Sequence, residues 1–170
     1  MPAEQIATNL ALINWTLLTG LAVGSFAVVV LARLATPATK GYLAFTAACA
    51  AGFGVLAYLS DTGLPAVGSG SPIPVNAAFD EPRRAALVAF VLLAVVTTVA
   101  LARGRRAVLP AIAGLVAGLA VILLGALTWG GSPLGVVPLA IQLTVLAAAT
   151  GGVFAAMILG HWYLVTPRLP

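Results

Sequence analysis

Few residues in this chain are equipped for chemistry. His161 is its one histidine and Cys49 its one cysteine. His161 stands in the string Gly160-His161-Trp162-Tyr163. A neutral imidazole at a membrane interface can donate to a quinone carbonyl or a lipid headgroup, with indole and phenol rings stacked alongside. His161, Trp162 and Tyr163 are therefore the candidate binding residues, and the ligand they suit is a quinone or a bound lipid. The same string also reads as an ordinary interfacial anchor.

Other chemistry is poorly supplied. A membrane haem held on both faces needs ligands on facing helices. Met157 lies four residues before His161, on the same helical face, so the two cannot grip one iron from opposite sides. Zinc needs three or four ligands, and no second candidate lies near His161. Cys49 sits in an apolar run outside any thiol motif. No nucleophile–base pair, phosphate loop or dinucleotide glycine motif occurs. The chain is expected to have no metal site and no catalytic activity of its own, and nucleic acid is not among its expected partners.

The elements that must position these residues follow from composition. The chain has 170 residues, 62% of them hydrophobic and 7% charged. Its mean hydropathy is +1.14. A soluble domain carries about a quarter charged residues to cover its surface, so a water-soluble monomer is excluded, and disorder with it. A spanning helix needs about 20 mostly apolar residues. Five runs qualify, at about residues 10–34, 42–59, 85–102, 108–129 and 138–165. None alternates with period two, which argues against a β-barrel. The expected fold is all-α, a polytopic membrane bundle of about five transmembrane helices forming one domain over residues 1–170.

Charge orients it. Arg33, Lys40, Arg103, Arg105, Arg106 and Arg168 fall on one side of five spans. Glu4, Asp61, Asp80 and Glu81 fall on the other, with Arg83 and Arg84. Basic residues accumulate on the cytoplasmic side, so the N-terminus is expected outside and the C-terminus in the cytoplasm. Trp15, Tyr58 and Trp129 then fall at outer ends and Tyr42, Trp162 and Tyr163 at inner ends, as two headgroup belts. Arg103-Gly104-Arg105-Arg106 predicts a tight hairpin between the third and fourth helices. Residues 61–83 read as an extramembrane loop, rich in Gly and Pro and suited to contact a partner.

The predicted spans hold no Asp, Glu or Lys. Proton pumps and ion-coupled carriers need a titrating group near mid-bilayer, and this chain lacks one. Packing devices are plentiful instead. Gly20 and Gly24, and Gly114 and Gly118, are spaced four apart, and the last span carries Gly151 and Gly152. Small residues at this spacing let helices approach closely, so these six glycines are the candidate packing positions. Asn14 and Gln142 are expected to meet each other in an interhelical hydrogen bond, with a bound ligand as the alternative partner. A faint echo also lays residues 24–33 over residues 152–161, pairing Gly24 with Gly152 and Phe26 with Phe154.

A chain rich in packing devices and poor in chemistry reads as an accessory or scaffold subunit of a larger membrane complex. The favoured setting is respiratory or photosynthetic electron transport in a bacterial cytoplasmic membrane, with lipid and other membrane subunits as partners. A quinone-binding anchor and a small transporter or channel component are the alternatives.

Overall fold

The structure, a computed structural model, describes residues 2–64, 75–131 and 135–165 and, over residues 2–8, the backbone alone. All regular structure among the described residues is helical. Five helices are long and apolar enough to cross a membrane: α1 Pro2–Ala35, α2 Lys40–Thr62, α3 Asp80–Ala102, α4 Val108–Trp129 and α5 Val136–Val165. Large apolar side chains such as Leu31, Leu92, Val116, Leu123, Val153 and Met157 stand exposed around the bundle. Hydrocarbon is the solvent that such a surface suits, and a helix satisfies its own backbone there. The chain is an integral membrane helical bundle.

The breaks have local causes. Pro37 lacks an N–H and disfavours helix at Thr36. Thr36 closes α1 by donating its hydroxyl and its amide to Ala32 O, at 2.7 and 3.0 Å. Between α3 and α4, Gly104 has φ +74°. Its amide reaches Leu101 O and that of Arg105 reaches Ala100 O, both at 2.9 Å. That is a Schellman stop, and the left-handed position favours glycine. The two helices pack as the expected tight hairpin.

The loop expected over residues 61–83 is shorter at both ends. α2 continues to Thr62, and helix resumes as a 3-10 turn at Ala77–Phe79 followed directly by α3. The reason is that Asp61 and Arg83 are partnered, so both helices can carry a charge into the bundle. Residues 65–74, where the Gly/Pro-rich contact surface was expected, lie outside the described residues.

α1 is the central helix, packed on α2, α4 and α5. Half of its most apolar stretch is buried, against 22% for α5, which leans on the bundle from one side. The core includes Phe26 and Phe90, edge to face at 5.4 Å, with Leu43, Leu87 and Val121.

Candidate functional site

The bundle has two chemically distinct ends. The end with the α1–α2 connection, the α3–α4 turn and the close of α5 carries Arg33, Lys40, Arg103, Arg105 and Arg106. No acidic residue lies there among the described residues. The opposite end holds Asp61, Asp80 and Glu81 together with Arg83 and Arg84.

At the basic end lies a cleft of about 400 Å³. α1 contributes Val28, Ala32 and Thr36, successive turns of one face. The connection contributes Pro37, Ala38 and Thr39, and α2 contributes Tyr42. α5 closes the cleft with Leu159, Trp162 and Tyr163. The Trp162 ring lies over Gly41, where a Cβ would meet Cζ2 at 2.8 Å. A larger residue at 41 would require the indole to shift away from the start of α2. Tyr42 is buried, and its hydroxyl donates to Ala155 O at 3.2 Å, linking α2 to α5. The structure thus brings Trp162 and Tyr163 of the candidate string to one cleft. His161 is exposed and does not line it, because one residue along a helix is a rotation of about 100°.

Two basic side chains brace this end. Arg33 Nε donates to Arg106 O at 2.9 Å, and Lys40 Nζ to Gly104 O at 2.5 Å. Both tie the α1–α2 connection to the α3–α4 turn.

The acidic end holds a constellation that the sequence reading missed. Asp61 is 0% exposed and Arg83 1%. Asp61 Oδ2 accepts from Arg83 Nε at 3.0 Å and lies 2.9 Å from Nη2, while Oδ1 accepts from Arg84 Nε at 2.6 Å. Arg83 Nη1 lies 3.1 Å from Asp80 Oδ1, without the alignment of a hydrogen bond. The guanidinium carbon sits 4.5 Å from the ring centroid of Trp129 and 5.5 Å from that of Trp15. The two indoles meet edge to face at 4.7 Å. Helix dipoles explain part of this. Asp61 stands at the negative end of α2 and Arg83 at the positive end of α3, each wrong for its own helix and right for its neighbour. Pairing across the junction resolves both conflicts.

A signal for this pair was present. The buried face of α2 runs Leu43, Ala47, Ala50, Gly54, Ala57 and ends on Asp61. That of α3 begins on Arg83 and runs Leu87, Phe90, Ala94, Thr97, Leu101. Both follow a 3.6-residue period, so opposite charges terminate two inward stripes.

The aromatic belts need correction. Trp15, Trp129 and Tyr42 are buried in the core. Tyr58 and Tyr163 remain exposed and Trp162 is half-buried. Trp15 Nε1 and Thr19 Oγ1 are buried without a partner beside a cavity of about 10 Å³, the size of one water molecule. Asn14 and Gln142 are both exposed and do not bond each other.

The glycines divide by what they touch. At Gly24 an added Cβ would overlap Ala147 O and fall 2.6 Å from its carbonyl carbon. A Cβ at Gly151 would collide in turn with Gly24 and Ser25 backbone, and one at Gly20 would come within 3.2 Å of Thr150 Oγ1. This backbone-to-backbone seam joins α1 to α5. Gly114 and Gly118 instead admit side chains: a Cβ at Gly114 would meet the Phe26 ring at 2.7 Å, and one at Gly118 would meet Phe90 and Val23 at 3.1 Å. At Gly152, expected to be a packing position, an added Cβ would meet nothing within 4 Å. The echo therefore pairs a buried Gly24 with an open Gly152.

Among the described residues no group of His, Cys, Asp and Glu is arranged to hold a metal. Comparison with protein-family models, with curated proteins and with solved structures finds no match.

Proposed function

We propose that this chain is an accessory subunit built into a larger assembly of the bacterial cytoplasmic membrane, in the setting of electron transport. One observation carries the reading: Arg33, Lys40, Asp61 and Arg83 are engaged in holding helices to one another. Asp61 joins α2 to α3, and Arg33 and Lys40 join the first connection to the α3–α4 turn. The outward face of α5 is the place for a partner helix, since it is the least buried of the spans. Extraction in a gentle detergent tests this. Other membrane subunits should co-purify in fixed proportion. Purification as a lone oligomer that passes solute would replace the reading with a transporter component.

A second reading, a quinone-binding anchor, draws on the cleft at the basic end. Its Trp162, Tyr163 and Tyr42 rings suit a planar ligand. A redox subunit co-purifying with quinone held there would favour it.

A further inference from the structure

A helical threonine with no water to meet can donate to the carbonyl four residues back. Thr46, Thr128 and Thr150 do so here, at 2.8–2.9 Å. Thr19 does not. Its Oγ1 is buried without a partner, and so is Trp15 Nε1, one turn earlier on the same face of α1. The two residues are 3% and 1% exposed, and both line the cavity of about 10 Å³. Thr16 and Gly20 of α1, Ile122 of α4 and Leu143 of α5 complete the lining. The side chains of Ile122 and Leu143 hold no polar atom. An indole N–H can only donate, and leaving it dry costs about as much as a broken hydrogen bond.

We propose that this cavity binds one ordered water molecule between α1, α4 and α5. The water accepts from Trp15 Nε1 and hydrogen-bonds Thr19 Oγ1, whose hydroxyl can turn as donor or acceptor. A buried water needs at least two polar partners and about this volume, and both conditions meet beside one face of α1. A water there also accounts for a Thr19 hydroxyl that makes no bond to its own helix. The same indole meets Trp129 edge to face at 4.7 Å and stands 5.5 Å from the Arg83 guanidinium carbon. The water therefore holds Trp15 by its nitrogen while the ring flanks the buried cation, and it carries the polar network of the acidic end one turn deeper. The site lies within the single chain and needs no partner subunit.

The test pairs a crystal structure of the full chain, at a resolution that shows ordered water, with nuclear magnetic resonance of the isotope-labelled chain in mild detergent. One solvent peak should lie within about 3.2 Å of both Trp15 Nε1 and Thr19 Oγ1. In solution the Trp15 indole proton, identified by its loss in Trp15→Phe, should show a cross-peak to water. Thr19→Val keeps the side-chain shape and removes the hydroxyl, so the solvent peak and the cross-peak should both be lost while circular dichroism is unchanged. Thr97→Val removes another buried hydroxyl without a partner, one outside the cavity lining, and should keep both signals. A parent structure with no solvent peak there, whether or not Nε1 bonds Oγ1 directly, overturns the proposal. So does a cross-peak that survives in folded Thr19→Val, or one that is lost in folded Thr97→Val.

Discussion

Asp61→Leu removes the acceptor on which the acidic end is built. Its effect can be worked from the contacts. Arg83 is 1% exposed and loses two of its nitrogens' partners at about 3 Å, while Asp80 remains 3.1 Å from Nη1. Breaking one side of a buried ion pair costs roughly 3–5 kcal/mol. Asp80 and the faces of Trp15 and Trp129 still hold the cation, so the lower figure, about 3 kcal/mol, is expected. For a chain of this size that corresponds to a fall in Tm of about 6–12 °C. Arg84 is 37% exposed, so Arg84→Ala should cost at most about 1 kcal/mol. Replacing both buried charges, Asp61→Leu with Arg83→Met, removes the stranded cation and should recover at least half of the loss. Thermal unfolding in mild detergent, followed by tryptophan emission, reads all three variants, since Trp15 and Trp129 flank the pair. A Tm for Asp61→Leu within 2 °C of the parent, on a scale of ~2–4 °C per kcal/mol, would refute the clamp. A double variant no more stable than the single one would refute its pairwise nature.

Adjacent glycines of α5 should behave as opposites. Gly151→Ala forces a methyl into the backbone of α1 and should cost about 1–3 kcal/mol. Gly152→Ala, which meets open space, should change the same unfolding midpoint by no more than a degree or two, about 0.5 kcal/mol. Equal effects would deny the seam. The charge distribution predicts the N-terminus outside and the C-terminus in the cytoplasm. A C-terminal reporter should be active only in the cytoplasm, and activity on the outer face would invert the bundle.

The sequence by itself determined the class of fold, the five spans and most of their ends. Lipid offers the backbone no partners, so long apolar runs must be helices, and Pro37 and Gly104 stop them by backbone geometry that needs no tertiary contact. The two charged ends were equally legible, because they depend only on how many spans separate the residues. What the tertiary structure decided was direction. Trp15, Trp129 and Tyr42 have the composition of belt residues, yet they turn inward, where Arg83 and the Ala155 carbonyl give their rings and hydroxyl partners. Gly151 and Gly152 are the same residue in the same run, but one fills the α1 seam and the other faces outward. His161 and Trp162 separate in the same way at the cleft. The Asp61–Arg83 pair lies between: its stripes could be read along each helix, but which stripe met which required the packing of α2 on α3. A side chain's type and position along a helix set its depth in the membrane. Its rotation toward core or lipid depends on neighbours contributed by other helices.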